Sequence, residues 1–214
     1  MNRRIWDFWA ERYDSLWVQR FSLEPSRREI VRNIHVRPGM DLLDVGCGTG
    51  QLFGDLADHF ADEPFSYRGI DQSAQMIEMA RSKYPAADFV VVPSEEYNAP
   101  NETCDVIIFS NSFPYIPDKK AVLVKFRNML KEGGLLIIVQ ASINNPYDAI
   151  MLSLVKFTTS SARYLSRRRI RAMAEPVFHS QPEETRISQS ILMPSIYLFK
   201  WARRAVEIRH KTRD

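Results

Sequence analysis

The residues most able to do chemistry are gathered in one short string, Asp44-Val45-Gly46-Cys47-Gly48-Thr49-Gly50. An apolar run, Asp41 to Val45, feeds straight into three alternating glycines, and a helix-like segment follows. Glycine lets the backbone turn tightly and approach a ligand, and a helix start presents unpaired N–H groups. About twenty residues on stands Gly69-Ile70-Asp71, where a carboxylate can accept hydrogen bonds from both hydroxyls of a ribose. The plainer reading of Asp71, as a cap for the helix that follows, loses ground once it is taken with the glycines. The spacing is not that of a dinucleotide fingerprint, because Gln51 stands where its third glycine would fall. It is not a phosphate loop either, since no Gly-Lys-Ser or Gly-Lys-Thr triplet occurs.

Other reactive side chains carry less. Four histidines and two cysteines, Cys47 and Cys104, show no zinc-ligand spacing, so no metal site is expected. His59 falls far from the glycine turn, while His35 and His210 lie outside the periodic elements.

The elements that must position the string alternate strand and helix. Strands are expected at Asp41–Val45, Tyr67–Asp71, Asp88–Val92, Asp105–Ser110 and Leu135–Val139, the last entered by a turn at Lys131-Glu132-Gly133-Gly134. Helices are expected from Gln51 to Phe60, from an N-cap at Ser73 through Ala80, and from about Lys119 to Leu130. Strands that are apolar throughout imply burial on both faces, hence a parallel sheet. The first 34 residues read as amphipathic helix, with Ile5, Phe8, Trp9, Tyr13, Leu16 and Trp17 on one face. Tyr147 to Val155 reads as a helix covering the sheet. Thr185–Ile191 and Ser195–Trp201, linked by Met193-Pro194, read as an antiparallel pair. The fold class is therefore α/β: a Rossmann-like, seven-stranded, mostly parallel sheet with an antiparallel C-terminal hairpin and helices on both faces. One domain divides into an N-terminal helical cap (1–34), a cofactor-binding core (36–140), a substrate-side helical segment (142–182) and a closing strand pair (185–204).

At these residues the chain resembles the class I S-adenosylmethionine-dependent methyltransferases, particularly the branch with quinone-biosynthesis and small-molecule enzymes. Asp44 to Gly50 matches that family's first motif, and Gly69-Ile70-Asp71 with Ser73, Met76 and Ala80 its second. Asp105-Val106-Ile107 leading to Asn111 and Tyr115-Ile116-Pro117-Asp118 looks like the fourth, and Leu130-Lys131-Glu132-Gly133-Gly134 like the fifth. The opening Phe8-Trp9-Ala10 with Tyr13-Asp14 is similar to its N-terminal signature. The resemblance implies S-adenosylmethionine as cofactor, bound through the glycine string with Cys47 inside it. Gly46 and Gly48 would line its methionine end, with Asp44 holding that loop and Tyr13 closing over the tail. Asp71 would take the ribose, Gln72 and Met76 would flank the adenine, and Asn111 would stand near the sulfonium. The family often places an acid for the adenine after the third strand; here Val92-Pro93-Ser94 stands there, so Ser94 or Glu95 is expected to substitute. Tyr115 and His179 are the acceptor-side candidates. Methyl transfer is an in-line displacement that needs no metal and no covalent nucleophile, so no catalytic residue follows from the motifs.

Composition bounds the setting. The 214 residues are 45% hydrophobic and 26% charged, as in ordinary globular proteins, and hold no run of 18 uninterrupted apolar residues. Asp7, Glu11, Arg12 and Asp14 break up the opening segment, so no secretory signal is expected, and reduced cysteines suit a cytoplasmic location. Residues 1–148 hold 16 Lys/Arg against 21 Asp/Glu, and residues 149–214 hold 13 against 5. The basic half includes Arg163, Arg167, Arg168, Arg169 and Arg171. They would either meet an anionic membrane surface, bringing the site to a lipid acceptor, or pair with acids of the domain or of a dimer. A small-molecule or lipid acceptor is the leading reading. A protein or RNA acceptor is the alternative, with nucleic acid disfavoured because no recognised RNA-binding module is present. A cofactor-binding protein without transferase activity is the third.

Overall fold

Along each central strand, successive apolar residues go to opposite faces, and both faces are covered. Leu43, Val45, Ile107, Phe109, Leu136, Ile138, Phe199 and Trp201 build one core layer. Their neighbours Leu42, Val106, Ile108, Ile137, Val139 and Leu198 build the other. This is the arrangement that an uninterrupted apolar strand demands. The computed structural model describes residues 6–204, apart from positions 8, 9, 11, 160, 161 and 188–192.

Seven strands form one sheet: β1 (Asp41–Val45), β2 (Ser66–Asp71), β3 (Asp88–Val91), β4 (Cys104–Ser110), β5 (Leu130–Ala141), β6 (Glu183–Arg186) and β7 (Ile196–Ala202). Their order is β3-β2-β1-β4-β5-β7-β6. Strands β1 to β5 pair in parallel, and β7 runs antiparallel to both β5 and β6. The helices are α1 (Glu24–Asn33), α2 (Gln51–His59), α3 (Ala74–Lys83), α4 (Lys119–Met129), α5 (Pro146–Thr159) and α6 (Arg167–Phe178). A π-helical turn, Gln19–Leu23, leads into α1, and a 3-10 turn, Phe113–Tyr115, follows β4. Residues of α1, α2 and α3 pack on one layer, and those of α4 and α6 on the other. The expected fold is the observed one. Among the described residues no helix is long and apolar enough to cross a membrane.

Three details differ from expectation. The turn at Lys131–Gly134 lies inside β5 as an excursion: Leu130 pairs with Cys104, but the next partner, Val106, faces Leu135. The detour brings the Lys131 ammonium to the carboxylates of Asp41 (2.8 Å) and Asp105 (2.7 Å), joining three strand starts. Helix α5 does form, but it buries Leu152 and exposes Tyr147, Ile150 and Leu154. Asp148 fixes its roll by accepting the N–H groups of Asn144 and Ser195, which turns the Leu152 side inward. Trp17 is also exposed, lying against Phe21 with ring centroids 6.5 Å apart instead of facing the core. Of the other members of that expected face, Tyr13 lines the cavity described below, Leu16 is half-buried, and Ile5, Phe8 and Trp9 lie outside the described residues. The expected hairpin is present, with β6 at Glu183–Arg186 and the Ile187 N–H donating to the Ile196 carbonyl; positions 188–191 of the expected strand lie outside the described residues. In the basic stretch, Arg167 and Arg171 both pair with Glu184 of β6, whereas Arg163, Arg168 and Arg169 are exposed.

Candidate functional site

The sheet reverses its order of progression at β1, whose neighbours are β2 on one side and β4 on the other. At such a switch point the loops leaving adjacent strands splay apart and open a crevice beyond the carboxyl ends. A cavity with about 450 Å³ of empty space, open to solvent, lies there. Its lining is Trp6, Tyr13, Gly46, Gly48, Asp71, Met76, Ser110, Asn111, Ser112 and Tyr115.

The floor is set by backbone geometry. Gly46 has φ +76°, and a Cβ there would stand 2.4 Å from Cβ of Ser112. Gly48 has φ +55°, and its missing Cβ would point toward the Tyr13 ring, 3.8 Å away. Any other residue at 46 would thus clash, and one at 48 would take up cavity space in a strained conformation. The loop is tied to the next strand, because the N–H groups of Gly46 and Cys47 both donate to the Ile70 carbonyl, at 2.7 and 3.0 Å. Asp71 holds it from the far side: its carboxylate accepts from Gly48 N–H at 3.1 Å and from Ser73 N–H at 2.9 Å. Burial raises the Asp71 pKa, and those backbone donors oppose the rise. Asn111 adopts φ +58°, in the left-handed region that asparagine tolerates, and its N–H donates to the Val139 carbonyl. Ser112 donates its hydroxyl to the Val45 carbonyl, which keeps the β4 loop against the glycine turn.

Three buried polar atoms around this floor have no hydrogen-bond partner: Asn111 Nδ2, Gln72 Nε2 and Asp44 Oδ1. Orphaned buried groups are costly and rare, and they mark where a ligand would complete the set. Asp44 is 1% exposed, and its other oxygen accepts from the Tyr67 hydroxyl at 2.7 Å. Burial pushes its pKa up to about 7; the Tyr67 hydrogen bond pulls against that, and the Asp71 charge adds to it.

The N-terminal segment forms the roof. The Ser73 hydroxyl donates to Asp7 at 2.6 Å, and the Thr49 hydroxyl donates to Asp14 at 2.6 Å. Lys83 also pairs with Asp14. These ties carry Trp6 and Tyr13 over the crevice. Trp6 stands edge-on to Tyr13 with centroids 6.3 Å apart, and edge-on to Tyr115 at 5.0 Å. Burial, with Tyr115 next in weight, raises the Tyr13 phenol above its usual range, so it stays protonated.

Of the residues expected at the site, the structure brings Tyr13, Gly46, Gly48, Asp71, Met76, Asn111 and Tyr115 to one cavity. Gln72 and Asp44 border the floor's hydrogen-bond set without lining the cavity. Cys47 is a correction: its side chain is buried in a core layer, and it contributes a backbone N–H only. Ser94 and Glu95 lie outside the lining and bond to each other at 3.0 Å, while the Glu95 carbonyl accepts from Lys125. His179 is displaced altogether. Helix α6 descends from Ser166 to Phe178, which stacks on Trp201 opposite Leu136, at the amino end of β5. There His179 ends the helix with φ +54°, on the edge of the sheet away from the crevice. Trp6, Ser110 and Ser112 were not anticipated. Their only signals were proximity, to Tyr13 for Trp6 and to Asn111 for the two serines. Among the described residues no group of histidine, cysteine or carboxylate side chains could hold a metal ion.

Residues 42–134 match the family described as Methyltransferase domain. The ubiquinone/menaquinone biosynthesis C-methyltransferase of Geotalea daltonii is 29% identical over 148 residues, covering 65% of this chain and 63% of that protein. The chain spans about half the length, 48%, of other curated relatives it matches. A Haloferax volcanii methyltransferase, solved in complex with the activator Trm112, superposes with a TM-score of 0.80 at 15% identity, covering 94% of this chain and 98% of that one. Geranyl diphosphate C-methyltransferase from Streptomyces coelicolor, solved with S-adenosyl-L-homocysteine, gives a TM-score of 0.70 at 14% identity, covering 85% and 79%.

Proposed function

We propose that this chain, a class I S-adenosylmethionine-dependent methyltransferase by its domain and its fold, methylates a small-molecule acceptor in the crevice beyond β1, β2 and β4. The single observation that carries the reading is the set of unpartnered polar atoms around the glycine turn. The residues present fit that donor molecule. Asp71 offers carboxylate oxygens for a ribose diol, and Asp44 Oδ1 offers an acceptor for an ammonium group. Asn111 Nδ2 and Gln72 Nε2 offer N–H donors, and the glycine turn leaves room for close approach. Met76 and Gln72 take the adenine end, since Ser94 and Glu95 are engaged with each other.

Bound S-adenosylmethionine supplies an electrophilic methyl group on a sulfonium, whose positive charge disappears as the methyl leaves. The chain's own work is to orient and to exclude water. Asp71 and the glycine loop set the depth of the ligand, and Trp6 and Tyr13 roof it. Tyr115 lines the same cavity and is the acceptor-side candidate. Holding the reacting groups in line can lower the barrier by several kcal/mol without a base or a metal.

Titration calorimetry with S-adenosylhomocysteine should show micromolar-range binding, weakened about a hundredfold in Asp71→Ala through two lost charge-assisted bonds. Unchanged affinity in that variant would sink the ribose assignment. Release of S-adenosylhomocysteine is then followed against panels of small molecules, lipids, proteins and RNA. Methylation confined to protein or RNA would overturn the acceptor class. Binding without turnover in any panel would leave a cofactor-binding protein.

A further inference from the structure

Arg27 joins three pieces of the chain, yet no motif accounts for it. It projects from α1, and its side chain is only 12% exposed. Its Nε donates to Asp55 at 2.6 Å, and its Nη1 donates to Gln51 at 2.9 Å and to Gln19 at 3.1 Å. Gln51 and Asp55 stand one turn apart at the start of α2, and Gln51 directly follows the glycine string. Gln19 heads the π-helical turn, whose widened geometry shows in the Glu24 N–H donating to the Gln19 carbonyl. Such turns are frequent at functional sites. The Gln19 side chain is buried, and its amide has one workable orientation. A guanidinium offers donors alone, so the amide oxygen must face Arg27 and the amide nitrogen must face away. There it donates to the Tyr13 carbonyl at 3.1 Å. A relay of hydrogen bonds thus runs from α2 through Arg27 and Gln19 to the backbone of Tyr13, whose ring lines the cavity beside Gly48. It is separate from the hold that Thr49 and Lys83 have on the neighbouring Asp14.

We propose that Arg27, acting through Gln19, is the positioning residue of the roof: it fixes the Tyr13 backbone relative to the helix that leaves the glycine turn, and so sets how long a bound ligand stays in the cavity. The inference rests on the methyl-transfer reading above for the identity of that ligand, but the relay itself does not. Neither Arg27 nor Gln19 lines the cavity, so their effect must pass through Tyr13.

The test uses two variants of the full chain. Gln19→Glu keeps an acceptor for Arg27 but sets a carboxylate oxygen where the amide donated to Tyr13. Arg27→Lys keeps the charge but loses the planar fork that orients Gln19. Both are labelled with 5-fluorotryptophan, whose four resonances (Trp6, Trp9, Trp17 and Trp201) are assigned by single Trp→Phe variants. Trp6 stands edge-on to Tyr13 at 6.3 Å and reports on its ring, and Trp201, buried in β7, reports on folding. Each variant, free of ligand, should shift or broaden the Trp6 resonance and leave Trp201 in place. The double variant should add little to either, because both break one relay. S-adenosylhomocysteine should leave each variant about tenfold faster than wild type, with its association rate within about twofold. Arg28→Ala, at an exposed position on the same helix, should match wild type in all three measurements. Should Gln19→Glu also move Trp201, and so disturb the fold, Arg27→Lys decides alone. A Trp6 resonance that stays put overturns the proposal, and so does an unchanged dissociation rate. A Trp6 resonance that moves while wild type itself binds no S-adenosylhomocysteine would uphold the relay and overturn the function proposed above.

Discussion

Asp44 is the residue at which sequence and site are most tightly coupled. The motif placed it in the glycine loop; the fold then buries it between Tyr67 and the loop with one oxygen unpartnered. Its carboxyl titrates at about 7 in the folded protein against 3.8 as an ordinary side chain. The sign follows from that order. Between pH 4 and pH 7 the folded state keeps a proton that the unfolded chain has released, so stability falls as pH rises through this window. The loss is a few kcal/mol at about 1.4 kcal/mol per pKa unit. Asp44→Asn cannot titrate. Thermal melts of the ligand-free protein at pH 5 and pH 8 should therefore show the variant gaining on wild type as pH rises. Parallel pH dependences of the two proteins would show that Asp44 is not the buried acid described. Residue roles that depend on spacing along the chain, such as Gly46, Gly48 and Asp71, were legible in the sequence. Roles that depend on which way a side chain turns were not. Cys47 turns into the core although it stands between two lining glycines, and Ser94 and Glu95 satisfy each other away from the cavity.

The element that makes the crevice a site is the segment before the π-helical turn. Its sequence showed recurring aromatic residues and a Tyr13-Asp14 pair similar to a family signature, which implied that Tyr13 closes over the cofactor but not what holds it there. Its actual role depends on two short acids, Asp7 and Asp14, reaching Ser73 and Thr49 on neighbouring loops. Such contacts span 66 and 35 residues and carry no local signature. Asp14→Ala should leave the strand and helix framework intact, because Thr49 and Lys83 are not core packers. It should also free the roof that carries Tyr13. The lost Thr49 hydrogen bond is worth about 1.5 kcal/mol and the partly exposed Lys83 pair adds little, so S-adenosylhomocysteine should dissociate roughly tenfold faster, with a smaller change in association rate. Surface plasmon resonance on immobilised protein measures both. Equal dissociation rates for wild type and variant would mean that the roof does not retain the ligand. The β5 excursion illustrates the same limit. Gly133 and Gly134 announce a turn, but the pairing of Leu130 ahead of it is set by Cys104 across the sheet.

At the scale of the molecule, a mostly parallel sheet covered on both faces was legible because uninterrupted apolar strands alternating with helices leave few alternatives once crossovers are right-handed. The charge split was legible as a number and opaque as a structure. Two of its five clustered arginines converge on one carboxylate: Arg167 Nη2 reaches Glu184 at 2.7 Å and Arg171 Nε reaches it at 3.1 Å. Arg167 also lies over the Tyr197 ring, 4.5 Å from its centre. Glu184, whose side chain is 13% exposed, thus clamps α6 to the edge strand β6, and α6 in turn carries Ile170, Ala174 and Phe178 into a core layer. The same helix begins just after Arg163, whose N–H donates to the Pro114 carbonyl, so the clamp also anchors that tie. Removing the carboxylate leaves two guanidinium groups facing each other with no acid between them. Hydrogen bonds to charged groups contribute about 1.5–3 kcal/mol, and a domain of this size shifts by roughly 2–4 °C per kcal/mol. Glu184→Ala should therefore lower Tm by about 3–10 °C, and 1 M salt, which screens the two half-exposed guanidinium groups, should recover only part of that. Arg168→Ala, at an exposed position on the same helix, should shift Tm by less than about 1 °C. Equal effects of the two substitutions would mean that the basic stretch acts as a diffuse charged surface and not as a clamp.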